Sequence, residues 1–362
     1  MVSNQIIQHT LNGMKEITEI ELAVLDREAN ILAYTDSNDT DYTEIIREFS
    51  ESDDDHRLIK NNHFFKVFDS GELTFYVVAH GDTEKAMEIG KIVVFQVSNL
   101  LTAYRERYDK DDFIKNLLLD NLLLVDILNR SQKLHINSRA RRVVFLVETS
   151  RDRDINIMET VRGLFPSGMR DFITAVDEKD IIVVRELSED DDYESINETA
   201  NILVDTLESE AMTGAHVSYG TIVEDIKEVS RSYKEAKMAL DVGRIFYSDR
   251  RVIAYSNLGI GRLIYQLPLQ LCKMFIREIF GEDDPIHFDE EMLTTIDQFY
   301  ANSLNVSKTS RELYIHRNTL VYRLGKLKNL TGLDILNFDD AITFQIALMV
   351  MKYMSYLETL DY

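Results

Sequence analysis

The sequence predicts an α+β multidomain protein, and three observations support this fold class. The chain has 362 residues, enough for roughly two or three domains that each bury a core of their own. Strand and helix patterns alternate over most of residues 1–255, whereas residues 256–362 show helical patterns. The chain contains only 3 prolines and 14 glycines, so we expect helices rather than flexible linkers to join the domains.

The first domain is expected to span residues 1–110 and to be of α/β type. Residues 4–14 show the spacing of a helix. Residues 21–36 hold two short apolar runs on either side of a polar stretch, which is typical of a β-hairpin. A second hairpin is predicted at residues 63–80, with residues 69–72 as its turn.

Residues 83–108 then show a long helical pattern that is apolar nearly all round. Such a helix requires burial on several sides, against its own domain and, in an oligomer, against a second copy of the chain. A small antiparallel sheet that leads into one long helix is the layout of a ligand-sensing module. A purely structural α+β domain is the alternative, and the sequence indicates no ligand-binding residue here.

Residues 111–140 predict a leucine-rich helical connector, and residues 141–255 predict a second α+β domain. Tyr233, Ala236 and Leu240 recur at spacings of three and four, so one face of their helix is expected to pack on the sheet. The strands are predicted at residues 141–148, 172–187 (a hairpin) and 216–220, and the helices at residues 155–164, 193–207 and 227–246.

Positive charge is concentrated in residues 305–330, which read NVSKTSRELYIHRNTLVYRLGKLKNL. This segment has six basic residues against the single acid Glu312, a net charge of +5 in a chain of formal net charge −23. An acidic protein that gathers its cations in one short segment presents that segment to a polyanion. The basic residues are Lys308, Arg311, Arg317, Arg323, Lys326 and Lys328.

The same segment predicts two short helices joined by a tight turn. Ser307 follows a polar stretch and is expected to cap the first helix. Residues 314–316 form the turn, and the second helix is predicted at residues 317–330, ended by Gly332. We therefore predict a helix-turn-helix at about residues 305–332, within an all-α C-terminal region.

The second helix has the face that a major groove requires. On a wheel of about 100° per residue, Leu320, Leu324 and Leu327 form a buried stripe, with Asn318 and Tyr322 opposite. Asparagine can bond adenine through two hydrogen bonds, which contributes roughly 1–3 kcal/mol of base discrimination, while flanking cations bind phosphates. The residues predicted to bind double-stranded DNA are Ser307, Lys308, Arg311, His316, Arg317, Asn318, Thr319, Tyr322, Arg323 and Lys326.

Two of these residues have a structural alternative. Tyr322 can instead pack against a neighbouring helix, and His316 can be a turn residue bonded to the backbone. Both alternatives stay open at the level of sequence.

Other sequence features indicate neither a metal, nor a cofactor, nor a catalytic residue. Cys272 is the only cysteine, which excludes an intramolecular disulfide and a cysteine-rich zinc site. The acidic runs at residues 51–56 and 188–195 lack the spacing of a calcium loop and are expected to be solvated loops. The chain shows no signal peptide and no apolar run near the roughly 20 residues that span a bilayer, so we expect a cytoplasmic protein without membrane contact.

The C-terminal segment resembles the helix-turn-helix of the PucR/CdaR family of bacterial transcriptional regulators and, more distantly, the Fis-type DNA-binding helix. The resemblance depends on LYIHRNTL at residues 313–320, YRL at 322–324 and TGLD at 331–334. Upstream, SRSYKEAKMAL at residues 230–240 is similar to the central domain of that family, a degenerate relative of the GGDEF fold. The hairpin LDREANILAYTD at residues 25–36 resembles the family's sugar-diacid-recognition domain.

The resemblance implies a ligand-responsive regulator of a metabolic operon. Its N-terminal domain would sense a small effector such as a carboxylate or sugar acid. Its C-terminal helices would read DNA as part of a homodimer or higher homo-oligomer, with half-sites about 34 Å apart or a multiple of that distance.

Two alternatives are a nucleotide-binding GGDEF-type enzyme and a scaffold whose terminal helices bind another protein. In active diguanylate cyclases, the turn of the central hairpin supplies glycines and an acid that hold the nucleotide. Here residues 176–180 contain no glycine. Glu148 ends the first central strand, near where such cyclases place a metal-binding acid, and is expected to be a surface carboxylate. The sequence therefore favours a protein that is not an enzyme.

Overall fold

The computed structural model of the chain describes residues 3–35, 41–149, 155–165, 170–176, 180–281 and 288–360. The chain divides into two compact units, Met1–Ile114 with Lys133–His135 and Lys115–Gln132 with Ile136–Tyr362. The α+β multidomain fold class predicted from the sequence is confirmed. A search of the described helices for a membrane-spanning segment finds none.

The first unit is built on a five-stranded antiparallel sheet in the order β2-β1-β5-β4-β3. Both predicted hairpins are present, because each is specified by a local turn between two apolar runs. The elements are α1 (Asn4–Thr18), β1 (Leu22–Leu25), β2 (Ile31–Tyr34), α2 (Thr43–Ser50), β3 (His56–Ile59), β4 (Asn62–Asp69), β5 (Glu72–His80) and α3 (Glu84–Leu118).

Helices cover both faces of this sheet. Phe65 and Val77 belong to the core shared with α1 and α3, whereas Phe64 and Tyr76 belong to the core shared with α2. The approach of α3 is close at Gly90, where an added Cβ would lie 2.1 Å from a ring atom of Phe65. Glycine therefore permits the contact between this helix and the sheet.

The long helix α3 differs from the prediction in two ways. It has 35 residues and extends past the predicted end at residue 108. The expectation of burial on several sides is wrong for the single chain, since Val93 and Val97 are buried but Ile92 and Phe95 are exposed. One face of the helix packs on its sheet, and an apolar part of another face contacts solvent.

The predicted helical connector is made of the end of α3 and a second helix. Helix α3 ends at Leu118, Asp120 has a left-handed backbone with φ of 57°, and the next helix begins at Leu124. A left-handed residue interrupts the helical hydrogen-bond ladder, so the leucine pattern continues across a break.

The central part of the second unit is a sheet in the order β10-β9-β6-β8-β7, antiparallel except for the β9–β10 pair. The predicted face of α7, with Tyr233, Ala236 and Leu240, is buried. Of the hairpin turn at residues 176–180, residues 177–179 lie outside the described residues. The elements are α4 (Leu124–Lys133), β6 (Arg142–Thr149), α5 (Ile155–Leu164), β7 (Phe172–Thr174), β8 (Asp180–Glu186), α6 (Tyr193–Ser209), β9 (Ala215–Tyr219), α7 (Val229–Phe246) and β10 (Val252–Ala254).

The C-terminal part of the described chain is helical, as predicted. Cys272 is a free, buried thiol on α9 and belongs to the core between that helix and α13. The elements are α8 (Gly261–Tyr265), α9 (Leu269–Phe280), α10 (Glu290–Ala301), α11 (Val306–Glu312), α12 (Arg317–Thr331) and α13 (Phe338–Leu360).

Candidate nucleic-acid interface

The first helix of the predicted pair, α11, is capped by Asn305 and not by Ser307. The Asn305 side-chain oxygen accepts a hydrogen bond from the Lys308 backbone N–H at 3.0 Å. The chain reverses at Ser303 and Leu304, both with positive φ, and this places Asn305 in the extended conformation of a cap. Ser307 lies inside the first turn of the helix, where its side chain is exposed.

Helix α11 ends in a Schellman motif. The Ile315 N–H donates to the Ser310 carbonyl at 3.0 Å, and the Tyr314 N–H donates to the Arg311 carbonyl at 3.2 Å. Tyr314 takes the left-handed position of the motif, with φ of 52°. The tight connection predicted at residues 314–316 is therefore confirmed, and it turns the chain directly into α12.

Helix α12 begins and ends with specific caps. The His316 Nδ1 accepts a hydrogen bond from the Asn318 backbone N–H at 3.2 Å. His316 is therefore a turn residue bonded to the backbone, which was one of the two alternatives that the sequence left open. At the other end Gly332 is left-handed, with φ of 75°, and its N–H donates to the Lys328 carbonyl at 2.8 Å. The predicted limits of this helix are confirmed to within one residue.

The inner face of α12 is the predicted leucine stripe. Leu320, Leu324 and Leu327 are buried in a core with Phe299 of α10 and Phe344 of α13. Burying a leucine side chain stabilises a fold by roughly 1.5–3 kcal/mol, so these contacts fix the helix rotation.

The fixed rotation leaves the opposite face of α12 open. Asn318 and Thr319 are exposed, and Tyr322 is 75% exposed, so Tyr322 does not pack against a neighbouring helix. Gly325 has no heavy atom within 4 Å of the position of an added Cβ. The face is thus polar and, within the described part of the C-terminal helices, open to solvent.

The six cations of the basic segment divide into two groups of three. Lys308, Arg323 and Lys328 lie in ion pairs, with Glu312 at 3.9 Å, Glu291 and Asp334 at 2.9 Å respectively. Arg311, Arg317 and Lys326 are exposed and form no ion pair within the part of the chain that the structure describes. Among the described residues, Arg311, Arg317 and Lys326 are therefore the cations of this segment without a carboxylate at ion-pair distance.

Arg323 has structural partners that the sequence did not indicate. Its side chain is only 21% exposed, and its guanidinium pairs with Glu291 of α10 and donates to the Thr295 hydroxyl at 3.2 Å. The side chain therefore joins α12 to α10. Sequence spacing could not show this, because Glu291 lies 32 residues earlier in the chain.

The single acid of the segment is also held within the fold. Glu312 accepts hydrogen bonds from the amides of Gln298 and Asn302, the latter at 2.7 Å. The hydrogen bond from Asn302, followed by that from Gln298, lowers the pKa of Glu312. Similarly, the hydrogen bond with Asp334 raises the pKa of Lys328. Glu312 and Asp334 are thus held by bonds within the fold. Among the described residues, neither carboxylate extends across the outer face of α12.

Sequence reasoning missed Tyr314. Its side chain is 96% exposed in the turn between the two helices. An aromatic residue at the position of a helix C-cap glycine was the signal that could have drawn attention to it.

In the central sheet, Glu148 is bound by a cation. The Arg244 guanidinium donates to Glu148, with a Nε–Oε2 distance of 3.1 Å, and to Asp241 at 3.2 Å. Among the described residues, no group of three or more His, Cys, Asp or Glu side chains is arranged to hold a metal ion.

Two capped helices, a tight turn and an exposed polar face flanked by cations define a helix-turn-helix DNA-binding domain. Comparison with protein-family models gives the same result: residues 292–350 match the PucR C-terminal helix-turn-helix domain, and residues 121–242 match a GGDEF-like domain. The chain thus carries a PucR-type helix-turn-helix domain and a GGDEF-like domain, and in this pair of domains it is similar to the PucR/CdaR family of transcriptional regulators.

Several known proteins are similar to this chain. The carbohydrate diacid regulator of Escherichia coli is 23% identical over 296 residues, which is 77% of this chain and 77% of that protein. The purine catabolism regulatory protein of Bacillus subtilis is 26% identical over 142 residues, 38% of this chain and 27% of that protein. A solved regulator of polyketide synthase expression from Bifidobacterium adolescentis matches with a TM-score of 0.36 at 14% identity, over 67% of this chain and 91% of that one.

Proposed function

We propose that this regulator binds operator DNA through the outer face of α12 and responds to a small effector bound by its N-terminal unit. The observation that supports this most directly is the exposed face of Asn318, Thr319 and Tyr322, with Arg317 and Lys326 beside it, two cations that have no ion pair with any described residue. Polar hydrogen-bonders on the outer face and cations at its edges are what a major-groove helix requires.

Each group on this face has a defined role. Asn318 lies in the first turn of α12 and reads adenine through its amide, while Thr319 and Tyr322 contact neighbouring base edges. Arg317, Lys326 and the preceding Arg311 bind phosphates and position the helix without reading sequence. Lys308, which pairs with Glu312 at 3.9 Å, lines the same edge together with Ser307 and His316.

The regulator is proposed to act as a homodimer or higher homo-oligomer. Two helices on one face of a duplex are about 34 Å apart or a multiple of it, and protein symmetry supplies this spacing. The apolar side chains Ile92 and Phe95 are exposed on α3 in the single chain, which supports contact with a second copy. Light scattering of the wild type and of Phe95→Glu measures the mass; a wild-type monomer would contradict this part.

The effector is proposed to be a small carboxylate or sugar acid. Support comes from the relative in Escherichia coli that is described as a carbohydrate diacid regulator. The effector acts by population shift: it binds one arrangement of the recognition helices more tightly than another. Thermal unfolding with a series of sugar acids tests this, since a bound effector raises the unfolding midpoint.

We further propose that the central domain is not catalytic. Arg244 forms ion pairs with both Glu148 and Asp241, so the carboxylate at the end of β6 already has a cationic partner within the fold. Incubation with GTP and magnesium checks this, and turnover to a cyclic dinucleotide would restore the enzyme alternative.

Retardation of DNA from the region upstream of the protein's own coding sequence tests the proposed function. Affinity is expected to fall steeply between about 50 and 200 mM salt, because phosphate contacts release counterions. Asn318→Ala is expected to reduce discrimination between sequences, whereas Arg231→Ala, an exposed arginine on α7, serves as a matched control without effect. Affinity independent of salt would refute the proposal and favour a scaffold that binds another protein.

A further inference from the structure

Tyr314 occupies a position where its backbone is unfavourable. It is the left-handed residue of the Schellman motif that ends α11, with φ of 52°. Glycine is the usual residue there because a Cβ in the left-handed region approaches the following carbonyl oxygen. A bulky aromatic residue at positive φ is an outlier, and such outliers concentrate at functional sites.

The two backbone hydrogen bonds of the motif hold this conformation, and the Tyr314 side chain adds no contact of its own within the described fold. The Tyr314 side chain is 96% exposed, and its hydroxyl makes no hydrogen bond with any described residue. The neighbouring Ile315 supplies the apolar contact of the motif by packing into the core of the C-terminal helices. Folding therefore gains little from the aromatic ring at position 314.

The location of Tyr314 indicates what it contacts. It lies three residues after Arg311 and three residues before Arg317, two of the exposed cations that form no ion pair among the described residues. It also precedes His316, the cap of α12, by two residues. When the start of α12 enters the groove, the turn before it faces the wall of that groove, where phosphates lie.

We infer that Tyr314 binds the DNA backbone, with its phenol hydroxyl donating a hydrogen bond to a phosphate oxygen beside the groove that α12 enters. This inference rests on the proposed function. Tyrosine is a neutral donor, and tyrosine hydroxyls are among the groups that bind DNA phosphates. The contact positions α12 and adds affinity without adding a released counterion.

The test compares Tyr314→Phe, Tyr314→Gly and Arg317→Ala with the wild type in DNA retardation at several salt concentrations. Tyr314→Phe is expected to weaken binding about tenfold without changing the slope of log affinity against log salt, since a neutral hydrogen bond is lost. Arg317→Ala is expected to reduce that slope by about 1 for each chain bound to the DNA. Tyr314→Gly is expected to weaken DNA binding while its thermal unfolding midpoint is equal to or above that of the wild type.

The outcomes separate this inference from the proposed function. Wild-type affinity in both Tyr314 variants, with a loss in Arg317→Ala, would overturn the inference and leave the proposed function standing. A loss in Tyr314→Gly but not in Tyr314→Phe would also overturn it, since the hydroxyl would have no role. Intact DNA binding with loss of a protein that copurifies with the wild type would assign Tyr314 to a protein partner instead. Salt-independent binding by the wild type would overturn both.

Discussion

Replacing Arg323 by alanine is expected to weaken the fold of the C-terminal helices without removing a DNA contact. The Arg323 side chain is 21% exposed, and its guanidinium donates hydrogen bonds to both Thr295 and Glu291. A hydrogen bond to a charged group stabilises by about 1.5–3 kcal/mol, whereas an ion pair with an exposed partner contributes about 0–1 kcal/mol. Because Glu291 is 70% exposed, we expect a loss of about 1–2 kcal/mol in the free energy of unfolding.

Arg317→Ala is the matched variant on the same helix. Arg317 is exposed and in no ion pair among the described residues, so its free energy of unfolding is expected to stay within about 0.5 kcal/mol of the wild type. Urea unfolding followed by circular dichroism measures the free energy of unfolding. DNA retardation at several salt concentrations measures the slope of log affinity against log salt. Only Arg317→Ala is expected to reduce this slope, by about 1 for each chain bound to the DNA.

The refuting result is a reversal of these two profiles. If Arg323→Ala unfolded like the wild type and reduced the salt slope, Arg323 would be a phosphate contact and its pairing with α10 would be irrelevant. Loss of both stability and slope in Arg323→Ala would also contradict the separation of the two arginines into structural and DNA-binding roles.

Three further predictions test local features of the fold. Asn305→Ala is expected to lower the free energy of unfolding by about 1 kcal/mol and Ser307→Ala to leave it within about 0.5 kcal/mol; equal losses in urea unfolding would disprove the cap. Gly90→Ala is expected to lower the free energy of unfolding by about 1–3 kcal/mol, because its Cβ would lie 2.1 Å from the Phe65 ring. An unchanged thermal midpoint would show that the helix can shift freely. Burial, followed by repulsion from a neighbouring histidine and a lysine, lowers the pKa of His56 from its ordinary 6.5. The unfolded chain therefore takes up the proton first, so stability is expected to fall as the pH drops below about 6.5, and His56→Phe should reduce this dependence in unfolding midpoints measured from about pH 8 to pH 5.

The parts of the fold that the sequence predicted are those specified by nearby residues. The spacing of Leu320, Leu324 and Leu327 determines the buried face of α12, and that face is buried as expected. The end at Gly332 was equally predictable, since few residues other than glycine adopt its backbone conformation readily. The two N-terminal hairpins follow the same logic, because a short turn and two apolar runs suffice to define each.

The parts that the sequence did not predict depend on distant contacts or on competition between close candidates. Asn305 and Ser307 are both good caps, and the reversal of the chain at Leu304 decides between them. The three-residue strand β10 exists through its parallel pairing with β9, which no local pattern reports. Arg323 has the position of a phosphate-binding cation on a wheel, yet its side chain reaches Glu291 on another helix.

Ion pairing changes what the basic segment can contribute to DNA binding. The sequence supplies six cations, but three are neutralised by carboxylates and three, Arg311, Arg317 and Lys326, have no ion pair in the described parts of the chain. Three phosphate contacts give a salt slope of about −2.7, so one chain would lose about 40-fold in affinity between 50 and 200 mM salt. Two chains on paired half-sites give a slope of about −5.4 and a loss of about 10³-fold. With the remainder of the chain at net −28, an isolated copy would be held on DNA weakly. The proposed regulator therefore requires both half-sites, and a measured slope near −2.7 with full affinity would contradict that requirement.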